Sequence, residues 1–330
     1  MKRVIPILMV FMSFNVMAQS QLISRFTLGS CFAPQLSDAI WPVMASVKPQ
    51  LHIALGDNVY QSSENHDMQQ PNLAAAYELL RQSKGFSEFA KQIEILPVWD
   101  DHDYGFNDAG GSFKPKKRSQ QLFNQMWQIA SDDPRANREG IYYAKTFEHK
   151  GRKAQFILLD TRYFRSDVIK ESGMFPIIND PEATMLGKAQ WQWLAKQLTT
   201  DVDIRFIVTS VQLLTTNRIG EGWYTLPKQR QKLLDMLASG GKVIVLSGDR
   251  HFANFYQHQG IVEMTSSSLN LPITGNAVER FSKMKEPYAQ GAPVLEANFG
   301  VVDINWQARN IRLAIVDENK KEVKTQTVEF

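Results

Sequence analysis

Three carboxylates and an imidazole stand without a gap in Asp100-Asp101-His102-Asp103. Packed together, such groups repel one another and resist burial, so a cation or a charged substrate must compensate them unless the stretch is a solvated acidic turn. Further metal-competent side chains recur along the chain: Cys31, then Asp57 and Tyr60, then Asp249 and His251. Each is weak alone, because an aspartate after a strand is often a helix cap and a lone histidine can be structural.

A repeated pattern must position them, a short apolar run followed by a turn. Residues 24–28 read as a strand ending in Gly29-Ser30-Cys31, and residues 51–55 as a strand entering Gly56-Asp57-Asn58-Val59-Tyr60. Residues 93–99 lead into the acidic cluster, and the β-branched run 242–246 leads into Gly248-Asp249-Arg250-His251. Ligand sites of open α/β sheets lie beyond the carboxyl ends of the strands, so four such strands converge on one sheet edge. Gly29, Gly56 and Gly248 permit tight turns there.

The rest of the chain supplies the layers around these strands. Apolar spacing predicts helices over 37–47, 72–84, 119–130, 188–198 and 227–238. Strands are expected at 141–148 and 154–159 around His149-Lys150-Gly151-Arg152, at 204–208, and in the tail at 262–267, 299–306, 311–317 and 323–330. Residues 166–183, with Gly173, Pro176 and Pro181, read as a loop over the site. Without a repeat, a low-complexity tract or a linker, residues 19–330 are expected to form one domain.

Composition narrows the function classes. Hydrophobic residues make up 43% and charged residues 22% of 330 residues, as in ordinary globular proteins. The net charge of +3 includes Lys2 and Arg3; without them 35 basic residues face 34 acidic ones, which leaves no electrostatic footprint for nucleic acid. Lys2-Arg3 followed by the apolar run 4–17 and Ala18 reads as a signal peptide, residues 1–18, directing export to the periplasm or beyond. The run is short for a span and polar residues follow at once, so no stable membrane anchor is expected. Leu28-Gly29-Ser30-Cys31 lies too far beyond it to be a lipoprotein box. Cys31 is the sole cysteine, so no intrachain disulfide forms, and in an oxidising compartment it must be buried or bound.

As an ordered set, these motifs resemble the calcineurin-like metallophosphoesterases, in particular the PhoD-type alkaline phosphatases (alkaline phosphatase D). The resemblance is carried by Gly29-Ser30-Cys31, Gly56-Asp57-x-x-Tyr60, Trp99-Asp100-Asp101-His102-Asp103, Leu159-Asp160-Thr161-Arg162 and Gly248-Asp249-x-His251. Family members often carry a separate β domain ahead of the catalytic one; here the first motif comes almost at once. The resemblance implies an α/β fold, a four-layer α/β/β/α sandwich with mixed sheets, built around a binuclear centre. Cys31, Asp57, Tyr60 and His251 would hold Fe3+, since thiolate and phenolate suit a ferric ion. Asp57 would bridge to a second ion held by Asp101 and Asp249, where hard oxygen donors favour Ca2+ over zinc. Asp100 is either a further ligand or a hydrogen-bond acceptor at the strand end.

The implied reaction is in-line attack on phosphorus by a metal-bound hydroxide. His102, beside the ligand Asp101, would protonate or stabilise the leaving alkoxide, with Asp103 orienting it. Arg162 and Arg250 would grip phosphate oxygens, or else serve structural ion pairs. The substrate would be a small-molecule phosphate mono- or diester. Two readings compete: a phospholipid-directed phosphodiesterase, and a metal-containing binding protein without turnover.

Overall fold

Strand β1 (Arg25–Gly29) shows how alternation builds the layers. Phe26 and Leu28 turn toward a second sheet, whereas Thr27 turns toward helices, its Oγ1 sharing a hydrogen bond of 3.0 Å with His52 Nδ1. The Phe26 ring stands edge-on to Phe156 and Phe206, with centroids 5.2 and 4.9 Å away, so the two sheets meet through aromatic contact. These coordinates are a computed structural model, which describes residues 22–61, 71–276, 278–279 and 286–330. The expected signal peptide, residues 1–18, lies outside the described residues.

After β1 come α1 (Ile40–Ser46), β2 (Leu51–Leu55), α2 (Pro71–Gln82), α3 (Lys84–Ala90), β3 (Glu94–Val98), the single turn α4 (Asp101–Tyr104), α5 (Lys116–Met126) and α6 (Pro134–Asn137). The second sheet is built from β4 (Tyr143–His149), β5 (Arg152–Leu158), β6 (Ile204–Thr209), β7 (Val243–Ser247), β8 (Ala253–His258) and β9 (Ile261–Ser266). Helices α7 (Gly187–Leu198) and α8 (Pro227–Ala238) connect its parallel strands. The tail forms β10 (Asn298–Asn305), β11 (Asn310–Asp317) and β12 (Glu322–Glu329).

The strand orders are β12-β11-β10-β1-β2-β3 and β4-β5-β6-β7-β9-β8. In the first sheet β1, β2 and β3 are parallel; in the second, β5, β6, β7 and β9 are parallel. Because β1 pairs with β10 on one side and β2 on the other, both ends of the described chain share a sheet. Trp41 of α1 and Phe89 of α3 pack edge-on against His52, and α7 and α8 cover the second sheet through Trp191, Leu194, Leu233 and Leu237. The architecture is therefore the expected α/β/β/α sandwich of mixed sheets. Beyond the helices, the outer face of the first sheet carries exposed ion pairs, Arg25 with Asp303 at 2.6 Å and Arg312 with Glu322.

Besides the single-turn helices α4 and α6, two elements differ from expectation. The helix expected over 72–84 ends at Gln82, and α3 starts separately because the Ser83 side chain accepts from Phe86 N at 3.3 Å as an N-cap. Strand β8 was not anticipated; it returns on β9 through Gln259-Gly260, both at positive φ. Among the described residues no helix is long and apolar enough to cross a membrane.

Candidate metal centre

The carboxyl ends of the parallel strands of both sheets meet at one edge. Cys31 follows β1, Asp57 and Tyr60 follow β2, Asp100 to Asp103 follow β3, Arg162 follows β5, Ser210 follows β6, Asp249 and His251 follow β7, and Ser267 follows β9. Close backbone approach makes this possible. Gly56 has φ of +96°, and a Cβ there would lie 2.6 Å from Asp100 N; a Cβ on Gly248 would lie 2.5 Å from Ser30 Oγ. Four of the expected ligands adopt left-handed backbone without being glycine: Cys31 (φ 58°), Asp57 (48°), Asp249 (70°) and His251 (56°). Such strain persists only where the surroundings enforce it, and it gathers at functional sites.

At one end of the cluster, Cys31, Asp57 and His251 each bring a ligand atom within 4.8 Å of the others. Cys31 Sγ is 3.6 Å from Asp57 Oδ2, and the Tyr60 hydroxyl donates to that same oxygen at 2.9 Å. His251 Nδ1 lies 2.6 Å from the Leu271 carbonyl oxygen. Donating there leaves Nε2, 3.4 Å from Tyr60 Oη, as the nitrogen free to coordinate. Ser267 Oγ accepts from the backbone N–H groups of Arg250 and His251, at 2.6 and 3.0 Å, and touches Cys31 Sγ at 3.1 Å. Burial pushes the Cys31 thiol up, but the charge of His251 and hydrogen bonds from His251, Ser267 and Tyr60 prevail and bring it down to about 7. Burial lowers His251, yet the Cys31 thiolate outweighs it and lifts the imidazole to about 9. Tyr60 is pushed well up, by burial and then by the charges of Asp57 and Cys31.

The other end is built from carboxylates. Asp57 belongs to a second group with Asp101 and His102, and Asp101 to a third with Asp100 and Asp249. Asp100 Oδ1 accepts from Arg162 Nε at 2.6 Å and from Ser210 Oγ at 2.5 Å, and Asp101 Oδ2 accepts from Asp108 N at 2.6 Å. Their other oxygens, Asp100 Oδ2 and Asp101 Oδ1, are buried without a hydrogen-bond partner. Burial and neighbouring carboxylates push Asp57 and Asp249 well up, and burial raises Asp100 despite Arg162. Burial also opposes the charge of Asp101, but Arg162 and His102 overcome it and hold that carboxyl well below its usual range. A mixed sulfur, oxygen and nitrogen set at one end and orphaned carboxylate oxygens at the other fit two cations of different hardness.

Every expected site residue lies in this region, though Asp103 is used differently from the expectation and Arg162 takes one of its two expected roles. Asp103 does not orient His102: its Oδ1 accepts from Asn58 N at 2.8 Å and its Oδ2 from Asp100 N at 2.9 Å, which ties the β2 and β3 loops together. Arg162 is fully enclosed and takes the structural alternative, pairing with Asp100 and, through Nη1, with Glu221 Oε2 at 2.6 Å. Arg250 is nearly enclosed, its Nη1 donating to the Glu221 carbonyl at 3.1 Å and resting where a Cβ on Gly220 would fall. His102 is half-buried, its ring 4.3 Å from that of Tyr60 and its backbone N–H donating to Asp57 Oδ1 at 3.3 Å. Sequence reasoning missed Ser210, Ser267, Glu221 and Arg165, whose roles depend on long-range pairing.

Two mixed sheets face to face, with metal-competent loops along their shared carboxyl edge, have the architecture of the metallophosphoesterases. The chain belongs to the PhoD-like phosphatase family, whose family model matches residues 26–315. Alkaline phosphatase D of Bacillus subtilis (strain 168) is 23% identical over 249 residues, a match covering 63% of this chain and 42% of that protein. The chain thus spans less than half the length of that relative. A solved structure of PhoD superposes with a TM-score of 0.68 at 18% identity, over 93% of this chain and 68% of the other. GAP50, the anchor in the inner membrane complex of Plasmodium, gives a TM-score of 0.61 at 14% identity over 94% and 90% of the two chains. At these identities the structural likeness is one of fold.

Proposed function

We propose that the protein is an exported, metal-dependent phosphoric ester hydrolase, with residues 19–330 as one catalytic domain and residues 1–18 removed on export. One observation carries the reading, the sharing of ligands. Asp57 joins the Cys31 and His251 group to the Asp101 and His102 group, and Asp101 joins that to Asp100 and Asp249. Fe3+ belongs at Cys31, Asp57, Tyr60 and His251, and Ca2+ at Asp57, Asp101 and Asp249, within reach of Asp100. When bound, these cations neutralise phosphoryl oxygens and lower the pKa of water.

The chain's own residues do the rest. Asp103 holds the β2 and β3 loops in one arrangement, and Arg162 fixes the Asp100 carboxylate. Arg250 brings a positive charge toward the non-bridging oxygens of the substrate. His102, half-buried beside Tyr60, donates a proton to the departing alkoxide.

The substrate is a small-molecule phosphate mono- or diester. A lipid-linked ester is the second reading, favoured by exposed Ile169, Met174 and Ile177 on a loop whose Lys170 Nζ reaches Asp108 Oδ2 at 3.0 Å. Hydrolysis of p-nitrophenyl phosphate and bis-p-nitrophenyl phosphate by the iron- and calcium-loaded protein tests the proposal, with phosphatidylcholine vesicles as the lipid arm. Turnover that drops in His102→Ala supports it. No turnover of any of the three by the loaded wild type would identify a binding protein instead.

A further inference from the structure

We propose that Glu221 is a positioning residue that holds the Nη side of the Arg162 guanidinium off the free oxygens of Asp100 and Asp101, while Nε stays bonded to Asp100 Oδ1, so that those oxygens remain open to a cation. The inference rests on the metal-dependent reading above. A buried guanidinium beside carboxylates is itself a rival for the metal, because it supplies the same positive charge in the same low-dielectric surroundings. Arg162 stands between two acids, with Nε 2.6 Å from Asp100 Oδ1 and Nη1 2.6 Å from Glu221 Oε2, and all three side chains are enclosed. Glu221 also pairs through Oε1 with Arg165, a second fully enclosed arginine.

The polar groups left over show the effect of this clamp. Arg162 Nη2, Asp100 Oδ2 and Asp101 Oδ1 are all buried and all without a hydrogen-bond partner; the Glu221 oxygens also lack one and hold Arg162 and Arg165 by ion pairing alone. A donor and two acceptors of opposite charge would ordinarily pair. Here the donor side is tethered from Glu221, and the acceptor oxygens stay available. With Glu221 neutralised, Asp100 is the counter-charge that remains within ion-pair distance of Arg162 among the described residues, and the Nη side of the guanidinium should turn toward the free Asp100 Oδ2.

The experiment titrates calcium into iron-loaded protein by calorimetry and measures iron by elemental analysis. It compares wild type, Glu221→Gln, and the double variant Glu221→Gln/Arg165→Met, which restores the buried charge count. The expected result is calcium affinity weakened by roughly tenfold or more in both variants, with iron content retained. Calcium affinity within twofold of wild type in either variant would overturn the proposal. So would joint loss of iron and calcium in the single variant with recovery of both in the double, since Glu221 would then only balance charge in the core. A wild type that binds calcium and hydrolyses no phosphate ester would sink the functional reading and leave this one standing.

Discussion

The two ends of the site are assembled by opposite means. At the Cys31 end the groups satisfy one another: thiol, imidazole, phenol and carboxylate are in mutual contact, and Ser267 pins the backbone of Arg250 and His251. At the aspartate end, two carboxylate oxygens are left without partners, and the neighbouring arginine is shared between Asp100 and Glu221. The first end is a preorganised donor set; the second has buried acceptors whose hydrogen-bond and charge balance a cation would complete. Metal retention should therefore differ between them, and dialysis against a chelator should remove calcium well before iron.

The strongest way to break this contrast is Cys31→Ala, which takes the one thiolate from the preorganised end. Iron should be lost and ester hydrolysis should fall on the order of a thousandfold or more, as expected when a metal that activates water leaves its site. Full iron retention in that variant would refute the ligand assignment. His102→Ala should be milder and of a different kind. Both metals stay, while kcat falls by roughly a hundredfold or more through loss of proton donation. A His102 variant that loses metal would make the imidazole a ligand of the Asp57 and Asp101 group, where its ring nitrogen already lies within 4.8 Å of their oxygens.

Ser267→Ala sharpens the comparison further, because it leaves every expected ligand in place. The hydroxyl accepts two backbone N–H groups, and removing it strands them, at a cost of about 1–3 kcal/mol. Iron affinity should weaken by roughly tenfold while calcium affinity changes little, as read by competition with a chelator. Equal weakening of both metals would show that the two ends are mechanically one.

These residues also show what could be read before any coordinates. The strand-then-turn units were legible because each apolar run ends abruptly in metal-competent residues, two of them through a glycine followed by an acid: Leu51–Leu55 before Gly56-Asp57 and Val243–Ser247 before Gly248-Asp249. Ser267 carries no such mark; it is one serine in a serine run, and its role comes from β9 lying beside β7. Glu221 was hidden for the same reason, since its partners Arg162 and Arg165 sit on another loop. Whether Arg162 grips a substrate or an acid is decided by enclosure, which residue type does not report. Strand β8 follows the His251 turn almost directly, and its signal was the Gln259-Gly260 reversal between apolar stretches.

The smallest expected effect lies outside the site, in a second buried histidine that behaves oppositely to His251. His251 has the Cys31 thiolate beside it and is raised; His52 has Thr27, Trp41 and Phe89 around it, and burial alone pushes it from 6.5 down to about 3. Its Nε2 is buried without a partner, so the neutral ring is the folded form. As pH falls below 6.5 the unfolded chain takes up a proton that folded His52 refuses, so stability declines until about pH 3 and is unaffected above 6.5. In His52→Phe, which keeps an aromatic ring between Trp41 and Phe89, this component should vanish. Denaturant unfolding of the metal-free proteins at pH 7 and pH 5 should show the wild type losing about 2 kcal/mol more than the variant. Parallel losses would mean that His52 accepts a proton in the folded state, and that burial without a charged partner does not separate the two histidines.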